Sequence, residues 1–308
     1  MHKQLTLAIF TLTFISTSYA LTYKIDADSD IVGENQEYVS EKGDTFASVA
    51  RKFDLGIIEL KEANPNIDIN KKLAVGTKFF IPTEFILPNG VVYEGIVLNL
   101  AELRVYYFVP NSNVVMTFPV GIGQVGWRTP IGETTIVKKR PNPSWTPPAS
   151  IRAEAAARGR TLPEVVPPGP NNPLGQYAIN LGWTNYRMHG TNAPHTVGLR
   201  SSHGCIRMYP EDIEALFKQV EVGTKVVIVH EPFKVGVKDG ELYLEAHEPF
   251  AERYYNPTQA SHDELLSNAV DGMQYSDDED INWSEAQKLI KDSYGYPIKI
   301  TNVPTNAY

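Results

Sequence analysis

The stretch Ser201-Ser202-His203-Gly204-Cys205-Ile206-Arg207 contains the only cysteine of the chain and sets a histidine, a glycine and an arginine beside it. A thiol near a histidine can pass its proton to the imidazole and become a nucleophile. Glycine lets the backbone approach a substrate closely, successive N–H groups can stabilise an oxyanion, and an arginine suits a carboxylate. These residue types together indicate covalent cysteine catalysis.

A second segment, His189-Gly190-Thr191, supplies another candidate base, and spacing alone does not separate His189 from His203. Two other interpretations stay open. A lone cysteine is most often an inert buried hydrophobe, although its glycine, histidine and arginine neighbours are unusual for a core strand. Zinc is the other, with His189, His203 and Cys205 as ligands and His195 nearby, but the chain has no catalytic glutamate in a helical histidine motif. We expect neither a metal nor an organic cofactor.

Composition limits the class of protein. The 308 residues predict about two domains, and 42% hydrophobic with 21% charged residues is ordinary globular usage. A single cysteine excludes an intramolecular disulfide framework. The net charge is −8, and residues from Pro232 onward account for it with 14 acidic and 6 basic side chains. No basic stripe is present, so we expect no nucleic-acid partner.

The N-terminus has the pattern of a signal peptide over residues 1–20. Met1-His2-Lys3 is a short positive start, an apolar run follows, and Ser18-Tyr19-Ala20 offers small residues for cleavage after Ala20. The apolar run is shorter than the roughly 20 residues that a membrane-spanning helix needs. We therefore expect an exported protein with no membrane span after cleavage, and an uncleaved anchor is the alternative. No cysteine follows the site, so lipid attachment of this chain is excluded.

The mature chain divides into four further parts: a polar linker over 21–36, a small unit over 37–83, a larger part over 94–231, and a C-terminal part over 232–308. In the small unit, Phe46, Val49, Ala50 and Phe53 form one helix face between two predicted strands, and Ile57 opens a second helix that stops at Asn64-Pro65. The order is β-α-α-β.

The larger part is predicted to be mainly β. Apolar and alternating runs separated by Gly, Pro and Asn predict strands, with one helix over 211–220. Residues 141–175 contain nine prolines and a short Ala-rich helix. An insertion of this length is either a lid beside a site or a surface excursion. The C-terminal part is predicted to hold a hairpin around Asp239-Gly240 and an acidic tail with one helix.

The small unit resembles a LysM module, a cell-wall carbohydrate-binding domain. The resemblance rests on Tyr38, Val39, Gly43-Asp44-Thr45, Phe53, Asn64-Pro65, Gly76 and Ile81-Pro82. It implies recognition of N-acetyl sugars in peptidoglycan glycan strands. The family's usual groove points to Asp44, Thr45, Asn64 and Ile67 as sugar-contacting residues. A structural α/β cap without a ligand is the alternative.

The larger part is similar to the L,D-transpeptidase catalytic domain, whose signature is His-Gly-Thr followed by Ser-His-Gly-Cys-x-Arg. Thr129-Pro130-x-Gly132, Asn142–Pro147 and the segment 165–175 extend the match toward the periplasmic Gram-negative branch that carries an N-terminal LysM unit. The resemblance implies a β-sandwich or mixed-sheet fold with one or two short helices. It also implies a periplasmic location.

The resemblance assigns roles residue by residue. Cys205 would be the nucleophile, His189 its general base, and the carbonyl of Gly190 would orient the imidazole. The backbone N–H groups of His203, Gly204 and Cys205 would form the oxyanion hole. Arg207, with Ser202 and Thr191, would hold the substrate.

The implied reaction is cleavage of the diaminopimelate–D-alanine bond of a tetrapeptide stem through a thioester. The acyl group would pass to a diaminopimelate amine, giving 3–3 cross-links, or to a lysine of an outer-membrane lipoprotein. With water as acceptor the protein would be a carboxypeptidase or amidase. A catalytically silent peptidoglycan-binding scaffold is the alternative of another class.

Overall fold

A nine-stranded mixed sheet forms the centre of the molecule. The computed structural model describes residues 20–256, 258, 260–272 and 281–302. The strands of the central sheet are β1 (Leu21–Lys24), β6 (Gly95–Asn99), β7 (Arg104–Phe108), β8 (Val114–Pro119), β10 (Gly132–Pro141), β11 (Tyr177–Leu181), β12 (Arg187–His189), β14 (Ile206–Arg207) and β15 (Lys225–Val229). Their order across the sheet is β1-β8-β7-β6-β15-β10-β11-β12-β14.

The sheet is mixed because two of its pairings are parallel. β15 pairs with β6 and β12 pairs with β14 in parallel, and the other neighbours are antiparallel. Strands β6 and β7 are buried along their whole length, which agrees with their near-continuous apolar sequence. The expected mainly β fold with a mixed sheet is confirmed. The short strands β9 (Ile122–Gly123) and β13 (Arg200–Ser202) form a separate parallel pair.

Two helices accompany the central sheet. Helix α3 (Ala149–Ala157) lies in the proline-rich insertion, and α4 (Pro210–Gln219) packs against β11. Proline occupies the first position of α4, where its missing N–H costs nothing, and Ile213 and Leu216 face the core. A single 3₁₀ turn covers Pro194–Thr196.

The expected β-α-α-β unit is present. It consists of β3 (Gln36–Val39), α1 (Phe46–Lys52), α2 (Ile57–Ala63) and β4 (Lys78–Ile81), with β3 and β4 paired antiparallel. Thr45 caps α1, because its side chain accepts a hydrogen bond from the Ser48 N–H and the Ser48 hydroxyl accepts one from the Thr45 N–H. The buried amide of Asn64 bonds to Leu60 and to both backbone groups of Phe80, which ties the end of α2 to β4.

The βααβ unit packs directly against the central sheet. Arg104 on β7 is fully buried and donates to both carboxylate oxygens of Glu59 on α2, at 2.6 and 3.1 Å. The backbones also meet, because a Cβ on Gly198 would lie 2.2 Å from the Ile57 nitrogen. Apolar residues of both parts share one core cluster, from Val49 and Leu60 to Tyr106. The two parts are therefore joined by a core rather than only by a linker.

The prediction of a polar linker over residues 21–36 is wrong. Its residues form β1, β2 (Ile31–Gly33) and the start of β3, with β2 paired to β5 (Glu84–Ile86). The segment is short and its exposed faces are polar, so periodicity gives little signal before its partners are known. β1 completes one edge of the central sheet against β8.

The C-terminal part contains the predicted hairpin, but two helices instead of one. β16 (Phe233–Lys238) and β17 (Glu241–Ala246) join through Asp239 and Gly240, both at positive φ, and β18 (Ile298–Lys299) pairs with β17. Besides α6 (Trp283–Asp292), the helix α5 (His262–Asp271) is capped by Ser261 and buries Leu266 and Val270. The acidic run Asp277–Asp280 and the signal segment before Ala20 lie outside the described residues.

The buried ion pair between β7 and α2 gives a stability prediction. Arg104→Gln leaves the Glu59 carboxylate buried without its cation, so we expect the free energy of unfolding to fall by about 3 kcal/mol or more in urea titrations. Arg51→Gln is the matched control, because its pair with Glu211 is partly solvent-exposed and should contribute at most about 1 kcal/mol. Equal losses in the two variants would contradict the structural role of Arg104.

Candidate active site

The two motifs singled out in the sequence meet because β12 and β14 are neighbouring parallel strands. Their register places Met188 opposite Ile206 and His189 opposite Arg207, and Cys205 immediately precedes β14. Gly204 has a φ of 99°, and a Cβ there would lie 2.9 Å from the Arg128 carbonyl oxygen. The turn that presents the cysteine therefore requires glycine at this position.

Cys205 and His189 line one cavity of about 310 Å³. One wall comes from the catalytic turn (residues 202–207) with Ser202, His203 and Arg207. Another comes from residues 184–186 in the loop before β12 and from Arg187 at the start of that strand. The rest comes from Trp127 and from the insertion, whose lining residues are Trp145, Thr146, Pro148, Ser150, Ile151, Pro173 and Leu174. The insertion therefore covers the cavity that holds the cysteine, as a lid would.

The tautomer of His189 is fixed by one hydrogen bond. Its Nδ1 lies 2.6 Å from the carbonyl oxygen of Gly190. A carbonyl can only accept, so Nδ1 carries the proton and Nε2 keeps a free lone pair. Burial, with a smaller contribution from the positive charges of Arg207 and Arg187, lowers the pKa of His189 to about 3 although the hydrogen bond to Gly190 opposes the shift. The imidazole is therefore neutral at physiological pH and able to accept a proton.

Cys205 rests as a thiol. Burial raises its pKa above the usual value, and the nearby Arg187 and Arg207 oppose that rise only in part. The Sγ atom donates to the carbonyl oxygen of Asn185 at 3.5 Å. The thiolate–imidazolium pair considered from the sequence is therefore not the resting state. A neutral thiol beside a neutral base requires proton transfer during attack on the substrate.

The residues predicted to form the oxyanion hole are together, but their N–H groups differ. The Gly204 N–H already donates to Ser202 Oγ at 3.1 Å, and Ser202 Oγ donates in turn to the Cys205 carbonyl oxygen at 2.6 Å. Within the described part of the chain, no acceptor is recorded for the N–H groups of His203 and Cys205. Ser202 therefore shapes the turn, and two of the three predicted donors remain available.

His203 has a different environment from His189. Its Nε2 lies 2.6 Å from a carboxylate oxygen of Glu154 on α3, and its ring packs edge-on against Trp127 at 4.6 Å. The side chain of His203 thus connects the catalytic turn to the insertion. Glu154 had no distinguishing signal in the sequence, because its partner is 49 residues away.

Two other predicted substrate residues are placed differently. Arg207 lines the cavity and is half-buried, and its Nη1 donates to Ser201 Oγ at 3.4 Å. Thr191 does not line this cavity. It is buried and accepts a hydrogen bond from the Ala193 N–H, so its side chain supports the turn after β12.

The predicted sugar residues have internal partners. Asp44 accepts from the Tyr38 hydroxyl and the Glu41 N–H, Thr45 caps α1, and the buried Asn64 binds backbone groups. Ile67 packs on the core cluster of the βααβ unit. Asn64 therefore has a structural task, and direct sugar contact by these four residues stays a prediction.

The histidine and cysteine set considered for zinc is not gathered as a ligand cluster among the described residues. The group with suitable spacing is instead Glu102, Glu245 and His247, all buried. The Lys234 ammonium lies 2.7 Å from each of the two carboxylates and occupies this space as the cation. This cluster is an ion-pair network between the hairpin and the central sheet.

The C-terminal part supports the catalytic turn from behind. Thr129 is buried, and its Oγ1 donates to the Gly204 carbonyl oxygen at 3.0 Å and accepts from the Gly123 N–H at 3.0 Å. The Tyr255 hydroxyl donates to the Thr129 carbonyl at 3.1 Å and accepts from the Thr129 N–H at 3.2 Å. Tyr255 carries no local sequence signal and was not predicted. Thr129 appeared only as part of a motif.

The arrangement defines a class of protein: a thiol with a tautomer-fixed histidine, in an arginine-rich cavity, is how cysteine-dependent acyl transfer is organised. Comparison with known families is more specific. Residues 94–228 match the YkuD L,D-transpeptidase catalytic domain, and residues 38–82, the βααβ unit, match the LysM domain.

Curated relatives agree with the family models. Probable L,D-transpeptidase YbiS of Escherichia coli K12 is 45% identical over 77% of this chain and 78% of its own length. Probable L,D-transpeptidase YcfS of the same organism is 45% identical, covering 74% and 72%. Probable L,D-transpeptidase ErfK/SrfK is 43% identical, covering 80% of each chain. This chain belongs to the L,D-transpeptidase family and is an enzyme with an added LysM domain.

The charge states of Cys205 and His189 predict two different pH profiles. Acylation of Cys205 by substrate needs the thiol and a neutral imidazole, so its rate should stay within about twofold between about pH 5 and pH 8. Alkylation by iodoacetamide reports the thiolate and should rise about tenfold per pH unit over that range. An alkylation rate that is flat over the range would show a preformed ion pair instead.

The support of the turn by the C-terminal part predicts a positioning role for Tyr255. Tyr255→Phe removes both bonds to Thr129 and should slow Cys205 acylation about tenfold, because the Gly204–Cys205 backbone loses its alignment. The alkylation rate should not change, since the thiol environment is kept. Tyr107→Phe is the control, because its hydroxyl bonds to Gln219 away from the site. Equal rates of Cys205 acylation in both variants would show that Tyr255 has no positioning role.

Proposed function

We propose that this enzyme cleaves the bond between diaminopimelate and D-alanine in a tetrapeptide stem of peptidoglycan and transfers the acyl group to an amine. The observation that carries the proposal is the His189 tautomer, which leaves Nε2 free in the same cavity as the Cys205 thiol. Membership of the L,D-transpeptidase family supplies the substrate class.

In the first half-reaction, His189 Nε2 takes the thiol proton while Sγ attacks the carbonyl carbon of the scissile amide. The oxyanion is held by the N–H groups of His203 and Cys205. His189 then returns the proton to the departing nitrogen, D-alanine leaves, and a thioester to Cys205 remains. Arg207 binds a carboxylate of the stem, for which a half-buried guanidinium in the cavity wall is well suited.

In the second half-reaction, a neutral amine attacks the thioester carbonyl carbon and His189 Nε2 takes its proton. The C–S bond then breaks, the amide product leaves, and His189 returns the proton to the Cys205 thiolate. The acceptor is a diaminopimelate amine, giving a 3–3 cross-link, or the lysine of an outer-membrane lipoprotein. Water as acceptor would give carboxypeptidase products. The insertion favours transfer over hydrolysis to the extent that Trp145, Pro148 and Ile151 add apolar surface to the cavity wall, where a bound acceptor would displace water.

The LysM domain holds the enzyme on glycan strands. Binding of the wall by one domain raises the local concentration of stem peptides at the other. The shared core and the buried Arg104–Glu59 pair support a fixed orientation of the LysM domain relative to the catalytic domain. A bound glycan strand and a bound stem peptide would therefore keep a constant relative position. The sugar-contacting surface includes the region around Asp44, Thr45 and Ile67.

The protein works in the periplasm. Export through the signal peptide and cleavage after Ala20 would deliver it to its substrate. None of the helices in the described ranges is long and apolar enough to cross a membrane.

The nucleophile and the base are tested by separate variants on disaccharide-tetrapeptide, with products followed by mass spectrometry. Cys205→Ala should abolish D-alanine release, and His189→Gln should reduce it by about a thousandfold or more. His203→Gln is the matched control, because it keeps the backbone N–H and loses only the side-chain contacts with Glu154 and Trp127. Full activity of Cys205→Ala would refute the thioester route. A larger loss of activity in His203→Gln than in His189→Gln would assign the role of general base to His203 instead of His189.

The acceptor is decided by competition. A digestion that contains both a tetrapeptide acceptor and a lysine-bearing lipoprotein peptide should yield an amide to one amine in preference to free tripeptide. Predominant tripeptide would assign the enzyme as a carboxypeptidase. Failure of a carbapenem-type probe to acylate Cys205 in the folded protein would indicate a silent scaffold.

A further inference from the structure

A pair of buried carboxyl groups lies where the LysM domain meets the catalytic domain. Asp54 follows α1, and Asp212 lies in the first turn of α4; they are 3% and 1% exposed. Burial raises the pKa of Asp54 to about 6, and burial together with the adjacent Asp54 raises that of Asp212 well above its usual value. Two carboxyl groups this close to each other and this far from water need a donor or a cation.

The described residues leave most of this need unmet. Outside the pair, no N–H or O–H of the described residues donates to Asp54 Oδ1 or to either carboxylate oxygen of Asp212. Within the pair, a proton on Asp212 can be donated to Asp54, which raises the pKa of Asp212 and lowers that of Asp54. The nearest guanidinium, Arg104, is committed to the Glu59 carboxylate, the Thr117 hydroxyl and the Asp54 backbone carbonyl. The neighbouring Glu211 carboxylate has its own partner in Arg51.

Among the described residues, the hydrogen bond that reaches a carboxylate of this pair from outside comes from the backbone at the start of β1. The backbone nitrogen of Leu21 donates to Asp54 Oδ2 at 3.1 Å. Leu21 is held there by pairing with Thr117 on β8, and Tyr23 two residues on is bonded to the Thr83 carbonyl. Leu21 is also the residue that follows the proposed cleavage site, so this nitrogen is the one that cleavage would release.

Cleavage changes what this nitrogen can offer. Hydrolysis of the Ala20–Leu21 bond adds OH to the Ala20 carbonyl carbon and H to the Leu21 nitrogen, which takes up a further proton near neutral pH. The single neutral N–H of the precursor becomes an ammonium with three N–H donors and a positive charge. These supply what the Asp54 and Asp212 oxygens lack.

We propose that Asp54 and Asp212 form the binding site for the α-ammonium group of Leu21, which is created when the signal peptide is removed. The site joins three elements: β1 at the edge of the catalytic sheet, the turn after α1 of the LysM domain, and α4. Processing therefore completes the junction between the two domains. The inference rests on the proposed cleavage after Ala20, and not on the identity of the acyl acceptor.

The test compares two forms of the mature chain made from fusions that a protease releases. One begins at Leu21 and the other at Ala20, which moves the ammonium one residue away from Asp54. We expect the melting temperature of the Ala20 form to be lower by about 5 °C. The N-terminal residue of the exported protein, read by mass spectrometry, should be Leu21.

A double-mutant cycle separates the ion pair from damage to β1. In the Asp54→Asn, Asp212→Asn background, the difference between the two forms should vanish, because no carboxylate is left to pair with the ammonium. Glu214→Gln on the same helix is the control background and should keep the full difference. If the double variant does not fold, each single asparagine variant serves for the same comparison and should reduce the difference.

Three outcomes would overturn the inference: a mature N-terminus other than Leu21, equal melting temperatures for the two forms, or a difference that persists in the asparagine backgrounds. The transpeptidase assay is independent of these readouts. Loss of D-alanine release with an intact melting difference would refute the proposed reaction alone.

Discussion

The parallel pairing of β12 with β14 is the constraint on which the active site depends. It brings His189 and the Cys205 turn, which are sixteen positions apart in sequence, onto adjacent strands. The Nδ1–Gly190 bond then selects the tautomer, and burial keeps both groups neutral. A neutral thiol and a neutral imidazole exchange a proton only when a substrate carbonyl is attacked, which limits unproductive thiol chemistry.

The turn is held by parts of the chain that are remote in sequence. Thr129 and Tyr255 fix its backbone from behind, and Glu154 binds the His203 ring from the insertion. The LysM domain in turn is fixed to the same sheet through the fully buried Arg104. The wall-binding domain, the insertion and the C-terminal part are thus all mechanically connected to the region of the cysteine, and each can affect catalysis without touching the substrate.

Much of the fold could be predicted from local patterns. The β-α-α-β unit follows from the helix face of Phe46 to Phe53 and the stop at Asn64-Pro65, and the hairpin follows from Asp239-Gly240. The strands over 21–36 could not be predicted, because short edge strands are stabilised by partners such as β8 rather than by their own residues. The helix α5 was missed although Ser261 provides an ordinary cap.

The residue types that carry the chemistry are evident from the sequence, because a single cysteine flanked by glycine, histidine and arginine is unusual for a structural position. The difference between the two histidines comes from their surroundings in the fold. His189 meets a carbonyl that fixes its proton, and His203 meets a carboxylate that ties it to the insertion. Likewise, only folding brings the Leu21 N–H to Asp54. Protonation, tautomer and counter-charge are properties of the surroundings, and those surroundings come from distant parts of the chain.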